Sequence, residues 1–202
     1  MEKNIIITGP AGVLEALLRL PLQDGEKAVA IICHPHPLFL GSMHNKIITT
    51  LAKVADVCGL PSLRFNFRGV GQSAGQFDGG RGELADVLAV IQEARQLFKG
   101  RDLWLFGFSF GGAMAIEAAT RVPVEKLIVI APSVRCFLSN PKPMCPILIV
   151  QGEADEIVDP QSVYDFAATL PSMPRVIRLP GVGHFFHGAL TLLKETLIEA
   201  LA

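Results

Sequence analysis

Short apolar runs alternate along the chain with longer stretches in which apolar residues recur at helical spacing. Ala28–Cys33, Pro61–Phe67, Leu103–Phe106, Lys126–Ala131, Ile147–Val150 and Arg175–Leu179 read as strands of the buried kind. Between them, His44–Cys58 sets Ile47, Ile48, Leu51 and Val54–Ala55 at the spacing of one helix face. Glu83–Phe98 does the same with Leu84, Val87, Leu88, Ile91 and Ala94. Phe110–Arg121 reads as a helix of small residues, and Phe185–Ala200 as a closing helix. Pro160–Leu170 is a further helix, with Asp159 as its N-cap and Pro160 at its first position. Ahead of all these, Asn4–Thr8 and Val13–Leu20 flank Gly9–Pro10–Ala11–Gly12, an opening hairpin. Strands that alternate with helices predict an α/β fold: a mostly parallel central sheet covered by helices on both faces.

Composition narrows this picture. Hydrophobic residues make up 50% of the 202 positions and charged residues 18%, enough to bury a large core. At ~150 residues per domain, one domain spanning residues 1–202 is expected. A net charge of −1 and a pI near 6.5 give no basic field, which argues against nucleic acid as a partner. Apolar runs of strand length argue against a membrane span, which needs ~20 apolar residues. The N-terminus lacks the form of a signal peptide, because Glu2 accompanies Lys3 and Gly9–Pro10 interrupts a short apolar run. A cytoplasmic protein is the expectation. Cys33, Cys58, Cys136 and Cys145 have no CxxC spacing and suggest no disulfide.

In an open parallel sheet, ligands bind beyond the carboxyl ends of the strands. Four strand ends here carry chemistry. Cys33 is followed by His34–Pro35–His36–Pro37, and Phe106 by Gly107–Phe108–Ser109–Phe110–Gly111–Gly112. Val150 is followed by Gln151–Gly152–Glu153–Ala154–Asp155, and Leu179 by Pro180–Gly181–Val182–Gly183–His184. Gly107-x-Ser109-x-Gly111 on a strand-to-helix turn puts the serine in a strained conformation at the tip, and its neighbours must be small. Taken alone it is also what a tight glycine-rich turn with an N-cap serine looks like. An acid and a histidine later in the order Ser, Asp, His turn it into a candidate nucleophile.

Glu153, Asp155 and Asp159 are the candidate acids. Asp159 reads better as a helix cap, and Asp155 lies far enough past its strand to curl toward the next loop. His184, in the glycine-rich loop after the last strand, is preferred as base over His187, expected on the first turn of the closing helix. His34 and His36 at i, i+2 have no further ligand cluster, which argues against zinc. Pro35 and Pro37 instead stiffen the turn and leave the N–H groups of His36 and Leu38 available beside the serine, as an oxyanion hole requires.

These stretches resemble the α/β-hydrolase superfamily. More narrowly, they resemble small bacterial serine hydrolases related to dienelactone hydrolase that carry a Cys-His-Pro-His-Pro turn. Cys33–Pro37, Asn45–Lys46, Asn66–Ser73, Phe77–Gly80 with Glu83, Gly107–Gly112, Gly152–Asp155 and His184–Gly188 carry the likeness. Leu40 departs from it where relatives tend to have glycine, and Ser109 stands where dienelactone hydrolase has cysteine. The resemblance implies Ser109 as nucleophile, His184 as general base and Asp155 as the residue that orients it. It implies the N–H groups of Phe110 and His36 as oxyanion donors, with Arg68 and Asn66 tying the neighbouring loop.

The function this predicts is a carboxylesterase-like serine hydrolase of small acyl esters, without cofactor or metal. The expected partner is a small-molecule acyl substrate, in a monomer or small homo-oligomer. Thioesterase or peptidase action on the same residues, or a hydrolase fold that only binds, are the alternatives. The stretch Pro132–Pro146, where larger relatives insert a lid, is only about 15 residues long, so a minimal lid is expected. Phe39, Phe108, Phe110, Phe137 and Phe185–Phe186 are expected at an apolar rim or in the core. His34, His44 and His187 carry no assigned role.

Overall fold

A computed structural model describes residues 2–25 and 28–202. The chain opens with the antiparallel hairpin β1 (Glu2–Gly9) and β2 (Gly12–Arg19). Then follow β3 (Ala28–Cys33), α1 (Lys46–Val57), β4 (Ser62–Phe65), α2 (Arg81–Leu97), β5 (Asp102–Phe108) and α3 (Phe110–Ala119). The remaining elements are β6 (Lys126–Ile130), β7 (Ile147–Gly152), α4 (Pro160–Ala168), β8 (Arg175–Leu179) and α5 (Leu190–Leu201). Eight strands form one sheet in the order β1-β2-β4-β3-β5-β6-β7-β8. From β4 to β8 every neighbour pairs in parallel, while β1 and β2 are antiparallel.

Alternate side chains of each strand feed two cores. Val29, Ile31, Leu103, Leu105, Leu127, Val129 and Ile149 pack with α2, α3 and α4 on one face. Ala30, Ile32, Phe106, Phe108, Ile128, Ile130 and Val150 pack with α1 and α5 on the other. Burial on both faces explains why the strands read as continuous apolar runs rather than as alternating ones.

Element ends differ from the periodic reading where side chains cap them. The side chain of Asn45 accepts from Ile47 N–H, so α1 starts after it, at Lys46. Asp159 caps α4 as expected, accepting from Gln161 and Ser162 N–H. The largest shift is at the last helix. It begins at Leu190, not Phe185, so His187 lies in the turn that precedes it. Phe186 stands at φ 51° with its ring fully buried, and a residue in that conformation cannot belong to a helix.

Pro132–Pro146 holds one short helical turn, Val134–Cys136. The buried Glu117 of α3 accepts hydrogen bonds from Leu138 N–H, Ser139 N–H and the Ser139 hydroxyl, and Phe137 packs on Phe166 of α4. The segment is thus pinned down on α3 and α4. Among the described residues, no helix is long and apolar enough to cross a membrane.

Candidate active site

Because β3, β5, β7 and β8 are parallel, their carboxyl ends meet on one edge of the sheet. The turn from β5 into α3 puts Ser109 at φ 55°, ψ −118°, a conformation costly for any residue with a Cβ. The surroundings hold it there: Ser109 N–H donates to Ile130 O, and Ser109 O accepts from Ala113 and Ser133 N–H. Glycine is required on both sides. A Cβ on Gly107 would lie 2.4 Å from Gly111 O, and one on Gly111 would lie 2.2 Å from Cys33 O. The first turn of α3 therefore sits directly against the exit of β3.

The hydroxyl of Ser109 is 3.1 Å from His184 Nε2, and His184 Nδ1 is 2.8 Å from Asp155 Oδ2. All three residues are buried: Ser109 is 7% exposed, Asp155 8% and His184 3%. Asp155 also accepts from Ile157 N–H, Val158 N–H and the Gln151 amide. Burial alone would raise its pKa, but the hydrogen bonds from His184, Val158 and Ile157 outweigh it and hold the carboxyl below the usual range. The carboxylate is thus ionised at neutral pH, and His184 donates from Nδ1 and presents Nε2 to the serine. Glu153 is turned outward, and its N–H donates to Leu179 O.

The turn after β3 is shaped by its two histidines in different ways. His34 is fully buried. Its Nδ1–H donates to Pro35 O at 2.6 Å, and its Nε2 accepts from Phe67 N–H at 3.0 Å. With both ring nitrogens engaged, His34 offers no lone pair to a metal. His36 is partly exposed and packs between Phe39, Phe77 and Phe110. Its own Nδ1 accepts from Leu38 N–H at 3.3 Å, and its carbonyl accepts from Phe39 and Gly41 N–H. Of the two N–H groups the sequence left available, that of Leu38 is therefore taken, which corrects the expectation. The N–H groups of His36 and Phe110 donate to no protein acceptor among the described residues.

A cavity of about 280 Å³ opens on this edge, lined by Pro35, His36, Phe39, Asn45, Phe108, Ser109, Ile157, His184 and Phe185. Two expected phenylalanines form its exposed rim: Phe39 is 79% exposed and Phe185 48%. Phe110 and Phe186 belong to the core instead, and Phe108 forms the buried wall beside the His184 ring. No residue of Pro132–Pro146 lines the cavity. Arg68 and Asn66 act as ties. Arg68 holds the buried Asp86 through a bidentate pair from Nε and Nη2, and Asn66 bridges Glu15 and Met43 N–H. Sequence reasoning missed Gln151, whose amide steadies Asp155, and Ile157, which closes the cavity. Their only signal was position, at and just past the end of a strand.

His34 gives this site a pH signature. Burial lowers its pKa to about 3 against the upward pull of the bond to Pro35 O, so the folded ring stays neutral. An unfolded histidine titrates near ~6.5. Above that pH neither state is protonated, and His34 adds no slope. Below it the unfolded chain takes up a proton that the folded chain refuses. Stability should then fall by roughly 1.4 kcal/mol per pH unit until about pH 3. Urea unfolding between pH 6.5 and 4.5 should show a loss of about 2–3 kcal/mol. A flat profile over that window would contradict a neutral buried His34.

A serine on the strand-to-helix turn of a sheet in this order defines an α/β hydrolase. A family described as serine aminopeptidase, S33, matches residues 27–145, and the chain belongs to this family within the α/β-hydrolase superfamily. An α/β serine hydrolase homologue from Coxiella burnetii is 42% identical with a TM-score of 0.95, over 99% of this chain and 97% of that one. An α/β serine hydrolase without lid from Xanthomonas campestris is 41% identical with a TM-score of 0.94, over 98% of this chain and 92% of that one. An uncharacterised protein of Rickettsia prowazekii is 33% identical over 199 residues, spanning 91% of this chain and 82% of that protein.

Proposed function

We propose that this serine hydrolase cleaves small acyl esters by way of an acyl-serine intermediate. The observation that carries the reading is the unbroken chain of hydrogen bonds from Asp155 through His184 to Ser109, which ends in a mostly apolar cavity. His184 Nε2 takes the Ser109 proton as Oγ attacks the ester carbonyl. The imidazolium, stabilised by Asp155, then protonates the departing alkoxide. A water molecule repeats the sequence on the acyl-enzyme and restores the serine.

The N–H groups of Phe110 and His36 receive the oxyanion. His34 acts here as a positioning residue. In a trans peptide the C=O and N–H point opposite ways, and His34 fixes the C=O of the Pro35–His36 peptide. The N–H of His36 is thereby aimed away from the His34 ring.

The cavity lining favours esters over peptides. An aminopeptidase must pair the substrate's terminal ammonium with a carboxylate, because a buried charge needs a partner. None of the nine lining residues is acidic. A panel of p-nitrophenyl esters, acyl thioesters and aminoacyl anilides tests the point. Short-chain esters should be turned over fastest. Faster cleavage of the anilides would overturn the ester reading.

The oxyanion role has its own test. His36 stands at φ −53°, an angle proline shares, so His36→Pro removes the N–H at a compatible φ. It should lower kcat by on the order of 10²-fold, as loss of one oxyanion donor does. His36→Ala, which keeps the N–H, should retain most activity. Equal losses in the two variants would show that the ring, not the N–H, matters. Addition of EDTA should inhibit neither variant nor wild type.

A further inference from the structure

Beside the cavity at Ser109 lies a second, larger one of about 400 Å³. The two share Asn45 and Phe185 as a common wall. The second cleft has an apolar floor that includes Ile47, Phe186 and Leu190. Its polar rim is formed by His44, Lys46 and His187 together with Ser42 and Asn45. Three of its ten lining residues are thus basic side chains and none is acidic, in a chain whose acids outnumber its lysines and arginines. Two of them are histidines for which the hydrolytic chemistry has no use. Glu156, which the fold brings against the start of the Phe185–Gly188 segment, is already engaged, accepting from His184 N–H at 3.2 Å.

We infer that this cleft holds an anionic group, carboxylate or phosphate, carried by the leaving-group part of the ester. The inference rests on the ester reading above and adds a substrate class to it. The direction follows from the chain. The wall of the cleft is built by Phe185–Gly188, the residues directly after His184, and His184 is the group that hands a proton to the leaving oxygen. The acyl part occupies the smaller cavity against Phe39, Phe108 and Ile157. The leaving group then extends past His184 toward Lys46, whose ammonium pairs with the anion. The imidazoles of His44 and His187 donate hydrogen bonds to it. Exposed cations attract anions weakly at long range, so selectivity needs this direct contact.

The test uses purified full-length protein and a matched set of butyrate esters. 3-(Butyryloxy)benzoate is compared with its neutral methyl ester, and 3-(butyryloxy)phenyl phosphate supplies the phosphate arm. The anionic esters should show kcat/KM about tenfold or more above the neutral one, mostly through KM, as a charge-assisted hydrogen bond supplies. Which anion gains more identifies carboxylate or phosphate as the natural group. Lys46→Met should collapse the ratio of anionic to neutral turnover, and His44→Gln with His187→Gln, in a chain that keeps Lys46, should lower it part of the way. The ratio should also fall as salt is raised. An unchanged ratio in Lys46→Met, or no preference in a wild type that still hydrolyses the neutral ester, overturns the inference and leaves the ester reading standing. Preference for p-nitrophenyl hemiglutarate over p-nitrophenyl butyrate, with none among the butyrates, overturns the leaving-group placement. Failure to hydrolyse any ester of the set overturns the ester reading itself.

Discussion

Ser109→Ala is expected to lower kcat for p-nitrophenyl butyrate by on the order of 10⁴–10⁶-fold while the protein stays folded. The expected loss is large because the hydroxyl forms the covalent intermediate, and no other nucleophile lines the cavity in hydrogen-bond reach of His184. Stability should change little, since alanine inherits the same strained backbone and loses a single 3.1 Å hydrogen bond. Ser109→Gly sharpens the point. Glycine adopts φ 55° without a Cβ clash, so this variant should be about 1 kcal/mol more stable than Ser109→Ala while equally inactive. Such a result would show that the turn stores strain for the sake of the hydroxyl. A fluorophosphonate should add once, at Ser109. Labelling elsewhere, or residual turnover within tenfold of wild type in either variant, would sink the assignment.

Asp155→Asn should cost about 10⁴-fold in kcat, with KM little changed. Asp155 accepts from four donors: His184 Nδ1, Gln151, Ile157 N–H and Val158 N–H. An asparagine has one oxygen to offer. With that oxygen kept toward the two backbone N–H groups, its NH₂ faces His184 and forces the imidazole into the wrong tautomer. Nε2 then carries a proton and cannot take one from Ser109. Turned the other way, the NH₂ meets two backbone donors. Asp159→Asn should leave kcat near wild type, because Asn also caps helices well. Glu153→Gln should likewise do little, because that side chain points to solvent. A larger loss from Glu153→Gln than from Asp155→Asn would reverse the roles of the two acids.

The motifs place the chain in the α/β-hydrolase superfamily, while the family it matches is described as serine aminopeptidase. The absence of a carboxylate from the cavity lining is what separates this chain's proposed chemistry from that description.

Local pattern alone determined much of the protein. The strands and helices were readable because burial on both faces of a sheet demands continuous apolar runs, and a helix on such a sheet demands a one-sided stripe. Ser109 was readable because only glycine tolerates the approach of α3 to β3 at Gly107 and Gly111, so the turn leaves a glycine signature. The position of chemistry-bearing residues at four strand ends followed from the alternation itself. Other features depended on partners distant in the chain. The placing of β4 between β2 and β3 leaves no local mark, since strand order is a matter of pairing and not of composition. Distance from the strand end favours Asp155 over Glu153 in the sequence, but the hydrogen bonds from Ile157, Val158 and His184 that single it out come from the tertiary structure. The last helix looked longer than it is because Phe185–Phe186 continue its apolar rhythm. The burial of Phe186 against the sheet, at a φ no helix permits, decided otherwise. In the same way Leu38's N–H was lost to the His36 ring, a contact that spacing does not reveal. Sequence fixes what each residue prefers next to its neighbours. The tertiary structure decides which preferences survive when distant segments compete for the same hydrogen bonds and the same buried volume.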